Sequence, residues 1–280
     1  MKLAQKLAVG YLRTKFRMLT AISKKKAAEK AFDLFCTPQS RNKKKLPKIF
    51  EEAEQIQFQF ENQRIHGYRW NHPAERKLMI IHGFESSVVN FDRYVKPLTR
   101  KGYEVLAFDA PAHGRSTGKS INAVMYKDFI KEVYQNYGPV QSFLAHSLGG
   151  LALSLALEEI KHDQNYRVAL IAPATETTTA INHFFRFLRL DPALYEEFEK
   201  RIIELGGKPT AWYSIRRALK NIRAKVLWVH DEEDNITLLS DAMKVKEENY
   251  SNVEFVITKG LGHQRIYRDN KVSRAVIEFL

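Results

Sequence analysis

The stretch FLAHSLGG, residues 143–150, places one serine between an apolar run and a run of small residues. Ser147 follows a predicted strand and opens a predicted helix, so it stands at a strand-to-helix turn. A sharp turn crowds the positions two before and two after its central residue, and Ala145 and Gly149 are small enough to fit there. The pattern suits a nucleophile, but it also suits a serine that caps a helix.

Short apolar runs recur along the chain, and most are continuous rather than alternating. Continuous runs are typical of strands that are covered on both faces. The runs are KLMII (77–81), YEVLAF (103–108), VQSFLA (140–145), RVALIA (167–172), KVLWVH (225–230) and VEFVIT (253–258). Helical segments lie between most of them, which predicts an α/β fold with a mostly parallel central sheet flanked by helices.

One long interval interrupts the alternation of strands and helices. Residues 173–224 separate two predicted strands, and they are too many for a single crossover helix. Asp191 and Pro192 are typical of a helix start, and Gly206-Gly207 is typical of a helix end. We predict two or three inserted helices that form a cap over the carboxyl edge of the sheet.

The formal net charge of +13 is concentrated near the N-terminus. Residues 1–50 hold 14 Lys and Arg against Glu29 and Asp33, which leaves the rest of the chain nearly neutral. A nucleic-acid-binding function for the whole protein therefore loses its main support. We predict a basic helical extension and linker at 1–50, followed by an α/β domain at 51–280. That domain begins with QIQFQF (55–60), whose period of two indicates a strand.

The extension is predicted to be helical over residues 1–36, with a break near Ser23. Basic residues fall on a narrow arc of its helical wheel: Lys2, Lys6, Arg13, Arg17 and Lys24. Apolar residues gather on a different side: Leu3, Leu7, Tyr11, Met18 and Ile22. This pattern favours an amphipathic helix at a membrane interface. Three alternatives stay open, namely packing of the apolar side on the domain, an organelle transit peptide and binding to nucleic-acid phosphates.

Four further segments supply the groups that a serine nucleophile needs. IIHGFESS (80–87) and FDAPAHGRS (108–116) each follow or close a predicted strand, and WVHDEEDNIT (228–237) ends a strand in a cluster of carboxylates. KGLGHQRI (259–266) places a histidine before the last helix. Histidine can take a serine proton near neutral pH, and a carboxylate can hold that histidine in the required tautomer.

With these motifs, the chain from about residue 55 onward resembles the α/β-hydrolase family. The matching residues are His82-Gly83-Phe84, Asp109-x-Pro111-x-His113-Gly114-x-Ser116, Ala145-His146-Ser147-Leu148-Gly149, Asp234 and Gly262-His263. The resemblance implies an α/β-hydrolase fold, with Ser147 as nucleophile and His263 as its base. It also implies an oxyanion hole formed by the main-chain N–H groups of Phe84 and Leu148, and a variable helical lid at the insertion.

The identity of the acid rests on the spacing within the carboxylate cluster. In the family pattern a small residue ends the strand, and the acid lies three residues further on. Asp231 stands at the position of the small residue, so the resemblance favours Asp234. Asp231, Glu232 and Glu233 are the alternatives.

Among the histidines, His146 is expected to point away from Ser147.

The resemblance implies a carboxylic-ester hydrolase that forms an acyl-enzyme on Ser147 and needs no metal or organic cofactor. Phe185 and Trp212 of the cap are candidates for an apolar substrate pocket. Thioesterase, lipase and carbon–carbon bond hydrolase activities remain open, as does a non-catalytic binding protein. Because Cys36 is the one cysteine, no internal disulfide is expected. We expect a cytoplasmic protein, with peripheral membrane contact through the N-terminal helix as an open possibility; oligomeric state is not predicted.

Overall fold

The computed structural model describes residues 3–41 and 45–280. The chain divides into two compact units. The helical unit combines Met1–Thr37 with Glu176–Tyr213. The sheet unit combines Pro38–Thr175 with Ser214–Leu280.

The sheet unit is built on a single sheet of eight strands. These are β1 (Glu54–Phe60), β2 (Gln63–Trp70), β3 (Arg76–Ile81), β4 (Tyr103–Asp109), β5 (Ser142–His146), β6 (Arg167–Ile171), β7 (Lys225–Asp231) and β8 (Val253–Thr258). Their order across the sheet is β1-β2-β4-β3-β5-β6-β7-β8. The pairs β1–β2 and β2–β4 are antiparallel, and the other pairs are parallel. The predicted fold class, with a mostly parallel sheet flanked by helices, is confirmed.

Helices occur in both units, and within the sheet unit they follow most of the strands. In the described residues they are α1 (Leu3–Ile22), α2 (Lys24–Cys36), α3 (Asp92–Arg100), α4 (Ala123–Tyr137), α5 (Leu148–Leu157), α6 (Thr177–Leu188), α7 (Tyr195–Gly206), α8 (Ile215–Ala218), α9 (Leu239–Glu247), α10 (Gly262–Arg265) and α11 (Asn270–Phe279). Every residue of β4 is buried, and so is every residue of α5 after Leu148. Continuous apolar runs in this region thus correspond to elements covered on all sides.

The parallel strands end at one edge of the sheet, where the motif segments lie. The loop after β3 carries Gly83, the turn after β5 carries Ser147, and the loop after β7 carries Asp234. His263 lies on α10, just after β8. Because the carboxyl ends of parallel strands share an edge, segments far apart in sequence can meet there.

The helical unit packs its four longest helices around aromatic side chains. Phe32 of α2 lies 5.5 Å from Phe198 of α7, measured between ring centroids, and Phe35 lies 5.2 Å from Phe184 of α6. The break between α1 and α2 falls at Ser23, whose side chain accepts the N–H of Lys26. The N-terminal helices and the inserted helices thus share one aromatic core, while the sequence-based boundaries at residues 50, 173 and 224 stay predictions.

The turns of the inserted segment follow the local sequence signals. Asp191 accepts the N–H of Ala193 and caps a short helical turn that starts at Pro192. Gly207 ends α7 in a left-handed conformation, with φ of 71°, which glycine adopts without steric cost. In the part of the chain that the structure describes, no helix is both long enough and apolar enough to cross a bilayer.

Candidate active site

Ser147 stands on the turn between β5 and α5, where the backbone departs from ordinary geometry. Its φ of 54° and ψ of −125° are values that non-glycine residues rarely adopt. Close packing explains the glycines that follow, because a Cβ at Gly149 would lie 2.5 Å from the main-chain oxygen of His82. A Cβ at Gly150 would lie 2.7 Å from Cβ of Pro173. A strained, tightly packed turn therefore holds Ser147 at the carboxyl end of β5.

The hydroxyl of Ser147 bonds to a histidine rather than to the helix. The side chain makes no capping hydrogen bond to α5, and Oγ lies 3.0 Å from Nε2 of His263. Nδ1 of the same ring lies 2.8 Å from Oδ2 of Asp234. Because an ionised carboxylate only accepts, Nδ1 carries the proton of a neutral ring, and Nε2 accepts from the serine. The structure brings Ser147, His263 and Asp234 into one hydrogen-bonded row.

Asp234 is buried after the end of β7, yet its carboxylate receives several donors. The N–H groups of Ile236 and Thr237 each lie 2.9 Å from Oδ1. Burial by itself raises the pKa of this carboxyl, but the hydrogen bond and charge of His263, together with the two N–H donors, outweigh it. The pKa of Asp234 is therefore lowered from its ordinary value, so the group is ionised at neutral pH.

Two of the other candidate acids, Glu232 and Glu233, are exposed, and Glu232 pairs with Lys259 at 3.4 Å. Among these carboxylates it is Asp234 that contacts the His263 ring. Over the residues that the structure describes, no group of three or more His, Cys, Asp or Glu side chains is arranged to hold a metal ion.

Asp231 supports the loop that carries His263. Its fully buried carboxylate accepts the N–H groups of Leu261 at 3.1 Å and Gly262 at 2.9 Å. The hydroxyl of Thr258 donates to it at 2.7 Å. Burial raises the pKa of the Asp231 carboxyl, but these hydrogen bonds outweigh burial and lower it from its ordinary value. Asp231 thus fastens the end of β7 to the segment after β8.

Thr237 belongs to the same network, although sequence reasoning did not single it out. Its Oγ1 lies 2.9 Å from Oδ2 of Asp234 and 3.1 Å from Nδ1 of His263. The hydroxyl also lies 3.1 Å from the main-chain oxygen of Ala172, which follows β6. The signal that could have found it is local, since a threonine three residues after an aspartate often bonds back to that carboxylate.

His146 contradicts the expectation that it points away from the site. Its ring lies against the ring of His263, with 4.7 Å between centroids, and 4.6 Å from Tyr267. Nε2 lies 3.2 Å from the main-chain oxygen of His263. Burial, and then the charge of His263, lower the pKa of His146 well below its ordinary value, so the ring is neutral. It packs behind the histidine that bonds to Ser147.

Two other histidines hold the loop after β3. His82 accepts the N–H of Ala110 at 3.0 Å, and His113 accepts the N–H of Glu85 at 3.0 Å. Burial lowers the pKa of His82 to about 4 and, together with His82, lowers that of His113 to about 3. Both rings are therefore neutral acceptors at neutral pH.

The loop after β3 passes directly beside the nucleophile candidate. A Cβ at Gly83 would lie 2.8 Å from Cβ of Ser147, so only glycine allows this approach. Phe84 follows it and is partly buried, with its ring 5.6 Å from His113. Leu148 opens α5, where N–H groups of the first turn lack intrahelical partners. The roles of the Phe84 and Leu148 N–H groups as oxyanion donors stay predictions.

The two candidate pocket residues lie in the helical unit. Phe185 is buried, and its ring lies 5.3 Å from Phe198 and 5.4 Å from Tyr195. Trp212 is partly buried, with its ring 5.2 Å from Tyr213. Phe185 therefore belongs to the core of its own unit, and contact of either side chain with a substrate stays a prediction.

Comparisons with known proteins find hydrolases among the relatives of this chain. A family model described as serine aminopeptidase, S33, matches residues 72–204, which is just under half of the chain. A Mycoplasma pneumoniae protein named as an esterase/lipase is 23% identical over 115 residues, or 40% of this chain and 42% of that protein. A Bacillus subtilis hydrolase is 30% identical over 107 residues, or 36% of this chain and 39% of that protein. The chain thus matches about two-fifths of the length of these curated relatives.

A solved structure extends the comparison over most of the chain. An esterase of Pyrococcus furiosus aligns with 88% of this chain and 97% of its own, with a TM-score of 0.64 and 24% identity. A likeness at this level of identity shows the fold. Together with the strand order, it shows that the chain has the α/β-hydrolase fold. The predicted α/β-hydrolase fold is confirmed, and the structures that share it include an esterase.

Proposed function

We propose that the protein is a serine hydrolase that cleaves carboxylic esters through an acyl-enzyme on Ser147. The hydrogen-bonded row of Ser147, His263 and Asp234, with distances of 3.0 and 2.8 Å, carries the proposal. A hydroxyl, a base and a buried acid in this order are the groups that activate a serine. The esterase names among the relatives support an ester as substrate.

In the first half of the reaction, Oγ of Ser147 attacks the ester carbonyl carbon while Nε2 of His263 takes the hydroxyl proton. The ionised Asp234 stabilises the imidazolium that forms and keeps Nδ1 protonated. The tetrahedral intermediate then collapses and the carbon–oxygen bond to the alcohol breaks. The leaving alkoxide takes the proton from Nε2, so an alcohol departs and an acyl-serine remains.

The second half repeats these steps with water as nucleophile. His263 takes a proton from a water molecule, which attacks the acyl carbon, and a second tetrahedral intermediate forms. When this intermediate collapses, Oγ of Ser147 leaves and recovers its proton from the imidazolium. The products are a carboxylic acid and the original enzyme, so one water is consumed in each cycle.

The negative oxygen of both intermediates is assigned to the N–H groups of Phe84 and Leu148. The close approach of Gly83 to Ser147 supports this assignment, because it brings the start of the β3 loop next to the reacting atom. The position of Leu148 at the first turn of α5 supplies a donor and the positive end of the helix dipole. In known enzymes, removal of one such donor costs about 3–4 kcal/mol of transition-state stabilisation.

The acyl group that the enzyme prefers is proposed to be apolar. Phe185 and Trp212 are the pocket candidates, and a series of p-nitrophenyl esters from acetate to dodecanoate tests them. Trp212→Ala should shift the preferred chain length more than it changes hydrolysis of the acetate. Unchanged preference in Trp212→Ala and Phe185→Ala would remove both residues from the pocket.

The proposal as a whole is tested by covalent labelling. A fluorophosphonate should add to the protein at Ser147, as read by intact mass and peptide mapping, and the same treatment should abolish ester hydrolysis. Ser147→Ala should lose both labelling and turnover. The matched control is Ser154→Ala, because Ser154 is also buried on α5 and its hydroxyl bonds to the main-chain oxygen of Gly150 at 2.8 Å. Label on another residue, or activity retained by Ser147→Ala, would refute the assignment.

A further inference from the structure

Helix α1 carries two apolar faces, and one of them is exposed. Phe16 is 4% exposed and packs within the helical unit, whereas the other face consists of Leu7, Tyr11, Met18 and Ile22. These four side chains, here called the outer stripe, are 66%, 67%, 62% and 78% exposed. At 3.6 residues per turn they fall within about 60° of arc and extend for about 22 Å along the helix.

The exposed outer stripe answers a question that the sequence left open, namely whether the apolar side of α1 packs on the rest of the protein. Phe16 does pack, and Arg13 holds α1 to α6 by donating to the main-chain oxygen of Phe187 at 2.6 Å. The outer stripe faces water instead. A contiguous row of large apolar side chains is unusual on the surface of a monomeric protein and is typical of an interaction site.

Positive charges lie on both sides of the outer stripe. By helical position, Lys15 lies about 20° beyond Ile22 on one side, while Arg17 and Lys6 lie about 80° and 100° beyond Leu7 on the other, and all three are exposed. In the described part of the chain, none of the three makes an ion pair. Three further exposed lysines, Lys24–Lys26, begin α2. No acidic residue precedes Glu29 in the sequence, so the charged side chains of α1 are all positive, while Glu196 of α7 lies near Lys24.

We infer that α1 is a docking surface for a membrane that contains anionic lipid. An apolar stripe bordered by lysines and arginines matches the interface of such a bilayer, because the stripe enters the acyl boundary while the cations remain among the headgroups. The charge disfavours a second copy of this chain, since pairing two stripes would bring like charges together. A nucleic acid would attract the charges but would leave the stripe exposed. The inference is independent of the chemistry at Ser147.

Flotation with vesicles tests the inference on the full chain. The protein should bind vesicles of phosphatidylcholine with phosphatidylglycerol, bind phosphatidylcholine alone at least about 10-fold more weakly, and dissociate as salt is raised. Two variants separate the contributions of stripe and charge: Leu7→Gln/Met18→Gln/Ile22→Gln, and Lys6→Gln/Lys15→Gln/Arg17→Gln. We expect the first to weaken binding at least about 10-fold and the second about 100-fold.

Matched controls remove similar groups elsewhere on the surface. Leu205→Gln replaces an apolar side chain of α7 that is 44% exposed, and Lys119→Gln/Lys208→Gln/Lys246→Gln removes the same number of charges from exposed positions. Both controls should bind like the unaltered chain. Circular dichroism should show all four variants folded, because every altered side chain on α1 is exposed.

A further variant reports insertion directly. Tyr11→Trp places an indole on the outer stripe, and brominated lipids should quench its fluorescence beyond the quenching seen for the unaltered chain. Absence of binding to anionic vesicles would refute the inference. So would equal binding by the stripe variant, since that result indicates attraction by charge alone. A dimer in analytical ultracentrifugation that dissociates in the stripe variant, without vesicle binding, would identify a second copy as the occupant instead.

Discussion

The carboxylate of Asp231 accepts the main-chain N–H of Gly262 at 2.9 Å, and Gly262 directly precedes His263. The same carboxylate accepts the N–H of Leu261, so two consecutive peptide groups of this loop are tied to the end of β7. From sequence alone, Asp231 is an alternative to Asp234 as the acid, although its position in the family pattern is that of a small residue. The hydrogen bonds give it a different role, since the position of the His263 ring depends on the loop that Asp231 holds.

Asp231→Asn should therefore lower activity and stability together. An asparagine keeps one acceptor oxygen and turns the other into a donor, so it loses acceptor bonds to the loop or to Thr258. We expect kcat for a p-nitrophenyl ester to fall about 10-fold and the free energy of unfolding to fall by about 1–3 kcal/mol. Urea denaturation and steady-state kinetics measure the two effects. Normal values for both would show that the loop holds its place without Asp231.

Asp234→Asn should have a different signature. The amide can still accept from Ile236 and Thr237, so the fold should be retained, but it favours the wrong tautomer of His263. We expect kcat to fall about 10³–10⁴-fold, with a much smaller change in KM. Kinetics and urea denaturation should therefore show an active-site defect in a stable protein. A larger loss of activity in Asp231→Asn than in Asp234→Asn would transfer the role of acid to Asp231.

Thr237 should act as a positioning residue for the acid and the histidine. Thr237→Val keeps the shape of the side chain but removes the hydroxyl that bonds to Asp234 and lies near Ala172 and His263. We expect about a 10-fold lower kcat with little change in KM, and Thr237→Ser should recover most of the loss. If serine does not rescue kcat, the methyl group and not the hydroxyl is what matters at this position.

Local patterns predicted much of the fold because they are set by nearby residues. The period of two in residues 55–60 gives β1, which pairs with β2 and has Phe60 opposite Gln63. Ser23 begins α2 because its side chain accepts the N–H of Lys26. Gly207 ends α7 because a residue without a side chain adopts the left-handed conformation at no steric cost. Most continuous apolar runs likewise correspond to buried strands of the sheet. The run at 253–258 is an exception, since it forms the edge strand β8 and none of its residues is buried.

The remaining features depend on strands meeting across the sheet. His146 packs on His263 because β5 and the loop after β8 end at the same edge, a relation that spans 117 residues. Asp231 reaches the N–H of Gly262 across 31 residues. Spacing within one segment cannot encode either contact. The exposure of the outer stripe also could not be predicted, since a helical wheel shows where apolar residues gather but not whether they pack on another part of the protein.

Stability should fall in mild acid because His113 is buried as a neutral ring. Burial, together with His82, lowers the pKa of His113 to about 3. The unfolded chain takes up a proton near the ordinary pKa of about 6.5, whereas the folded protein does not until pH approaches that lower value. The sign is therefore a loss of stability as pH falls from 6.5 toward 3.

His113→Gln isolates this contribution from those of other acidic and basic groups. The amide oxygen can accept the N–H of Glu85 as Nε2 does, but it does not titrate. Between pH 7 and pH 5 the unaltered chain should lose about 2 kcal/mol more than the variant, measured by urea denaturation. A parallel loss in both proteins would show that His113 is not the group responsible.

The N-terminal helices should be required for the stability of the inserted helices. Phe198 is 1% exposed, and its ring lies 5.5 Å from Phe32 of α2 and 5.3 Å from Phe185 of α6. Truncation to alanine at Phe32 or Phe198 should each cost about 3–5 kcal/mol, and a double-mutant cycle should give a coupling of about 0.5–1.5 kcal/mol. Phe187→Ala is the control, since that ring is 44% exposed. Limited digestion with trypsin, followed at Arg201, measures how stably α7 is folded, and Phe32→Ala should be cleaved faster than Phe187→Ala. Equal resistance of the two variants to trypsin would mean that α2 contributes nothing to the fold of the inserted helices.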